Sequence, residues 1–152
     1  MLTFTVRCPR TGDPIQVDGQ DVLLFPDGLV GCPSWQRFVL LDENEDDPIK
    51  FLQSLDDPNI CFLATDPHHV DPGYRIRPAE ADLEVLEIED LDQAVLMCTL
   101  RIWENEEKIT ANLLGPLVIN PRTRQGRQIV LADSPYSAQH PVVLEVMAEQ
   151  IA

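Results

Sequence analysis

Turn residues divide this chain of 152 residues into short apolar runs, none long enough for an extended helix. Leu2, Phe4, Val6 and Cys8 alternate with polar residues, the period-two signature of a half-buried strand. Val22 to Phe25, Arg37 to Leu41, Ile49 to Leu52 and Ile60 to Thr65 are further β-type runs. They are separated by Pro26-Asp27-Gly28, Cys32-Pro33-Ser34, Asp46-Asp47-Pro48 and Asp56-Asp57-Pro58-Asn59. In each break proline fixes φ, or Asp, Asn or Ser bonds its own backbone. Gly73 to Arg77, Val95 to Trp103, Ile109 to Leu114, Leu117 to Asn120 and Gln128 to Ala132 bring the expectation to about ten strands. Strands this short at this spacing predict a sandwich or a barrel, and the fold adopted as the expectation is a mostly β, antiparallel, barrel-like domain.

One internal helix is expected with Pro78 in its first turn. Glu80, Asp82 and Glu84 suit a positive N-terminal end, and Ala79, Leu83 and Leu86 recur at helical spacing. A second short amphipathic helix is expected within Val142 to Ile151, with Val143, Val146, Met147 and Ile151 on its apolar face. The length fits one domain spanning residues 1–152, which buries enough surface to fold without disulfides. Cys8, Cys32, Cys61 and Cys98 form no C-x-x-C pair, and Cys8, Cys61 and Cys98 sit among apolar residues as core thiols do. The start of the chain reads as a strand rather than a signal peptide, and no apolar stretch approaches the ~20 residues that span a bilayer. The setting these features predict is cytoplasmic.

Charge is unevenly placed. Between Asp42 and Asp92 there are 16 acidic and 3 basic residues, against 10 and 8 in the rest, so the middle third carries nearly all of the net −15. Such a surface repels phosphate backbones, which excludes direct nucleic-acid binding, and it suits a basic protein partner.

Leu113 to Ile119 is broken by Gly115-Pro116, and Asn120-Pro121-Arg122-Thr123-Arg124-Gln125-Gly126 then reads as a hairpin-like connection into the next run. The whole string from Thr110 to Leu131 resembles the FliW-type flagellar assembly factors of bacteria. So do Phe25-Pro26-Asp27-Gly28-Leu29-Val30-Gly31, Gln53-Ser54-Leu55-Asp56-Asp57-Pro58, and Tyr136-Ser137 with His140-Pro141, all in the family's order. Cys32 stands where the family carries an aromatic residue. The resemblance implies a cytoplasmic assembly factor; no active site or cofactor is expected, and a monomer is the expectation for the free protein, though no sequence feature fixes its oligomeric state. The resemblance also implies two partners, flagellin and the small translational repressor CsrA, whose RNA binding the factor antagonises so that flagellin translation proceeds.

Other chemistries compete with this reading at particular residues. Asp42, Asn44 and Asp46 fit the first positions of a calcium loop, but Asp47 replaces its glycine and Gln53 its closing glutamate. Asp56 and Asp57 invite a carboxylate-dependent hydrolase, which needs a deep pocket and a carboxyl of raised pKa; a turn is the simpler reading. His68, His69 and His140 lack converging metal ligands. Trp35, Trp103 and Phe38 are expected in the core, with Trp35 the one suited to an interface. The candidate partner-binding residues are Gln53, Asp56 and Asp57 if their turn is exposed, Asn112 and Asn120, and the basic pair Arg122 and Arg124. For the two asparagines, satisfying buried backbone around the Gly115-Pro116 break is the competing role. A generic acidic chaperone or adaptor for another basic protein is the alternative of a different class.

Overall fold

A computed structural model describes residues 3–7, 12–41 and 47–142. The chain enters through a hairpin, β1 (Thr3–Arg7) with β2 (Pro14–Asp18), in which Val6 pairs with Ile15 and Thr5 with Gln16. It continues through β3 (Val22–Leu24), β4 (Arg37–Leu41), β5 (Ile49–Ser54), β6 (Cys61–Thr65), β7 (Val95–Trp103), β8 (Lys108–Ala111), β9 (Leu117–Asn120), β10 (Gln125–Gln128) and β11 (His140–Pro141). Neighbouring strands follow the order β7-β6-β5-β4-β3-β10-β9, and β9 pairs back onto β7, closing a seven-stranded barrel. All of these pairings are antiparallel except β3 with β10, where Gln125 lies beside Leu24. The nine residues of β7 serve two partners on one side: Val95 to Met97 pair with β9, while Leu100 to Trp103 pair with β8, whose other edge carries β11.

Alternation decides what each face buries. Leu23, Phe25, Phe38, Leu52, Ala64, Met97, Leu117 and Ile119 fill the barrel, as the narrow lumen of so few strands requires. The intervening residues point outward and are covered too. Val39 and Leu41 lie under Val6 and Val17 of the β1–β2 hairpin. Cys98, Leu100 and Val118 pack with Tyr74, Ile76, Leu86, Ile88, Ile129 and Leu131 of the long connections. β4 and β9 are therefore buried on both faces, which is why their sequences read as continuous apolar runs.

The helix after Pro78 is α1 (Glu80–Val85), with Ala79 at its N-cap. It ends in a Schellman turn: Glu87 takes a left-handed φ of 57°, its amide bonds Glu84 O at 3.0 Å, and the Ile88 amide bonds Leu83 O at 2.9 Å. Leu86 and Ile88 are buried against the outer face of the sheet.

Three expected strands differ. Gly73–Arg77 has no ladder. The run at Ile109 ends at Ala111, because the Asn112 side chain accepts the Gly115 amide and turns the chain. The strand after the hairpin is Gln125–Gln128 rather than Gln128–Ala132: the Asn120 carbonyl takes the Arg124 amide at 2.8 Å, so the connection closes in four residues and Gly126 falls inside the strand. Gly126 is required there, since a Cβ would lie 2.7 Å from the Phe25 ring. The hairpin strand β2 carries no expectation from the sequence, its five residues being headed by a proline. The calcium-like stretch at residues 42–46, Cys8, and the expected second helix from residue 143 onward lie outside the described residues.

Candidate functional site

The turn joining β5 to β6 is built by side chains folding back on it. Gln53, only 5% exposed, places its amide nitrogen 3.0–3.1 Å from the carbonyls of Ser54, Pro58 and Ile60. Ser54 Oγ accepts the amides of Asp56 and Asp57, and Asp57 Oδ1 accepts the Asn59 amide at 3.0 Å. Asp56 reaches across to the start of β4: Oδ2 accepts the Gln36 and Arg37 amides at 2.7 and 2.8 Å, and Oδ1 meets Arg37 Nε at 3.1 Å. Desolvation pushes the Asp56 pKa up, but the two amides and the guanidinium outweigh it and hold the carboxyl below its ordinary 3.8. That is the opposite of what a general acid needs. Gln53 is thus inside the turn, Asp56 braces it, and Asp57 stands half-exposed.

The asparagines divide between the two ends of the barrel. Asn112 closes its turn through the Gly115 amide at 2.9 Å, and Gln128 joins that turn to the Pro26–Pro33 loop, donating to Gly115 O at 3.0 Å and accepting the Val30 amide at 2.8 Å. Within that loop Gly28 sits at φ 68°, where a Cβ would lie 2.5 Å from Pro33 backbone. Asn120 is 5% exposed; its Oδ1 accepts the Arg122 amide at 2.9 Å while its Nδ2 donates to Leu86 O at 2.8 Å, tying the β9–β10 turn to the end of α1. Arg122 is exposed. Arg124, at φ 63°, donates to Asp21 O at 3.0 Å, and its Nε is buried with no hydrogen-bond partner. Arg127 lies between Asp82 and Asp27, at 3.3 and 3.7 Å. By strand direction, Gln53, Asp56, Asp57 and Asn112 gather at one end of the barrel, and Asn120, Arg122 and Arg124 at the other.

His68 spans Asp66 Oδ1 at 2.7 Å and Tyr74 O at 3.1 Å, and His69 Nδ1 meets Thr65 Oγ1 at 3.1 Å. Among the described residues no three His, Cys, Asp or Glu side chains are grouped to hold a metal, and no helix is long and apolar enough to cross a membrane. Burial pushes the Cys98 thiol up to about 12, which keeps it protonated; Cys61 is only partly buried, a departure from the core thiol expected there.

Phe38 is fully buried, while both tryptophans are only partly buried, Trp35 against the barrel core. Trp35 packs on Phe62, and Trp103 bonds Thr110 Oγ1 at 2.9 Å beneath the Arg101 guanidinium, 3.7 Å from its ring. Ile102, 54% exposed, adjoins it. Nothing in the sequence marked this hairpin tip, though an Arg-Ile-Trp strand end above Lys108 is the pattern that would have. The Arg75–Arg77 segment was read only as a strand, yet two clefts flank it.

A family model described as FliW protein matches residues 9–142. The flagellar assembly factor FliW of Natranaerobius thermophilus is 33% identical over 138 residues, covering 90% of this chain and 91% of that protein. The corresponding factor of Caldanaerobacter subterraneus subsp. tengcongensis is 35% identical over 133 residues, 87% of this chain and 89% of its own. That of Bacillus subtilis is 32% identical over 128 residues, covering 84% and 90%. A crystal structure of the flagellar assembly factor FliW superposes with a TM-score of 0.82 at 29% identity, over 91% of this chain and 96% of that one.

Proposed function

From its membership of the FliW family of flagellar assembly factors, to which this chain belongs, we propose that the protein binds flagellin and the translational repressor CsrA in the cytoplasm, without enzymatic activity. Binding CsrA relieves its repression of flagellin translation; newly made flagellin competes for the factor and frees CsrA. The observation that carries the reading is the match to flagellar assembly factors over nearly the whole chain, together with a net charge of −15 that suits a basic repressor. The half-exposed Asp57 and exposed Arg122 are the candidate contact residues whose side chains remain most available.

The acidic residues supply the mechanism. An RNA-binding repressor is basic where RNA lies, so docking this domain beside that path opposes RNA approach within a Debye length of about 8 Å. Glu84, Glu87, Glu89, Asp90 and Asp92 are all exposed, and they make a ridge from α1 onward that serves this purpose.

Calorimetric titration with purified CsrA and with flagellin tests the proposal. Saturable binding to both, with mutual displacement, is expected. Silence from CsrA removes the translational arm, and silence from both favours an adaptor for some other basic protein. Charge reversal across Glu84 to Asp92 is expected to weaken RNA exclusion more than CsrA binding; equal loss of both would instead indicate simple steric cover.

A further inference from the structure

Gly73–Arg77 has the sequence of a strand and, from Tyr74 on, the alternation of one. Arg75 and Arg77 are exposed while Ile76 between them is 8% exposed and packs in the outer core. The Arg75 amide is taken by the Tyr136 hydroxyl at 2.8 Å. Beyond that bond, the amides of Ile76 and Arg77 and the carbonyls of Arg75, Ile76 and Arg77 have no hydrogen-bond partner among the described residues. A segment with strand-like alternation and main-chain groups unpaired among the described residues is a template for a further strand.

Two clefts share this segment as a wall, one of about 570 Å³ that includes Ile129, Leu131 and Tyr136, and one of about 630 Å³ that includes Leu91 and Leu96. Both contain Arg75 and Arg77, which form no ion pair among the described residues, unlike Arg37, Lys108 and Arg127. Of the carboxylates in these clefts, Asp66 is engaged by His68 and Asp82 by Arg127, leaving Asp92 and Asp133. Two uncommitted guanidinium forks on neighbouring same-face positions are unusual in a chain of net charge −15, and their natural complement is carboxylate, which they can bind bidentately.

We propose that Arg75–Arg77 is a docking rail that a partner protein completes by strand addition, using an extended segment of alternating acidic and apolar side chains. The main-chain groups of the rail supply hydrogen bonds, the two arginines select carboxylates, and the clefts take the apolar side chains. The inference rests on the reading of this chain as a protein-binding factor, and it adds a basic strip that adjoins the acidic ridge at Asp92.

The test is titration of the isotopically labelled full chain with a synthetic peptide of about six residues alternating valine and glutamate, the length a strand-addition site accommodates. Saturable shifts are expected at the amides of Ile76, Arg77 and Tyr136, with slowed hydrogen exchange at Arg77, whose edge also offers the Arg75 carbonyl, and not at Ile76, whose amide faces the opposite edge. Affinity is expected to fall about tenfold or more in the Arg75→Glu, Arg77→Glu double variant, whose folding is checked by its melting midpoint. A flat response at millimolar peptide, or an equal response to a control peptide alternating valine and lysine, overturns the proposal. Measuring flagellin and CsrA in parallel separates the two readings. A responsive rail with neither bound would sink the functional assignment and support the rail, whereas binding of either with a silent peptide would do the reverse.

Discussion

Asp56 takes the Gln36 and Arg37 amides on one oxygen and the Arg37 guanidinium on the other, so its charge is held by the fold before any partner arrives. Its folded pKa is lowered, so its stabilisation is present in full above the ordinary value of 3.8 and is lost as the pH falls through the lowered folded value. Asp56→Ala is expected to cost about 1–2 kcal/mol in urea unfolding at neutral pH, the range for a hydrogen-bonded, partly exposed charge. The deficit should shrink once the wild type is titrated below the folded value; a deficit that stays constant with pH would show that the carboxylate charge is not its source. Asn120 has a comparable role without charge. Removing its side chain in Asn120→Ala orphans the Arg122 amide and the Leu86 carbonyl, and about 2–3 kcal/mol of stability should go with them. If Asn120 serves only the fold, folded Asn120→Ala protein binds the proposed partners with unchanged affinity, whereas Asp57→Ala loses affinity at a smaller stability cost, its one lost bond among the described residues being to the amide of exposed Asn59.

At the scale of elements, the loop from Phe25 to Pro33 and the hairpin from β9 to β10 are locked together by glycines that cannot be exchanged. Gly28 combines a left-handed φ of 68° with Pro33 backbone 2.5 Å from where a Cβ would be, and backbone cannot swing aside as a side chain tip can. Gly28→Ala is therefore expected to be more destabilising than Gly31→Ala, which has a similar φ of 82° but open space around it. The difference is read from the two urea midpoints; equal midpoints would mean the loop shifts to accommodate the methyl group. Pro26-Asp27-Gly28 was legible as a turn because proline fixes φ and glycine admits a positive φ locally. The bounds of β4, β7 and β9 were legible because burial wrote apolar periodicity into them. Gly73–Arg77 was misread for the same reason: Ile76 has the burial of a strand residue, but whether a neighbour pairs with it depends on where Leu91 to Leu96 and Ile129 to Tyr136 are placed by the rest of the fold. The division of the candidate site between two barrel ends was equally invisible, since strand order and closure through β7 and β9 are properties of no local segment.

Across the whole molecule, one quantity acts in opposite directions on folding and on association. A net charge of −15 in 152 residues repels itself when the chain is compact, with the acidic excess concentrated between Asp42 and Asp92. Raising ionic strength from about 10 mM to about 150 mM shortens the Debye length from about 30 to about 8 Å, which removes repulsion between distant carboxylates while leaving short pairs such as Arg37 with Asp56 largely intact. The melting midpoint is therefore expected to rise by a few degrees with salt, about 1 kcal/mol for a domain this size. The same screening weakens attraction to a basic partner, so affinity for CsrA should fall over the same range, mainly through slower association. Charge reversal across Glu84 to Asp92 should flatten both slopes together if that ridge is the source of both. A variant that lost the salt dependence of binding but kept that of melting would place the repressor on the ridge and the self-repulsion elsewhere, in the remaining carboxylates between Asp42 and Asp82.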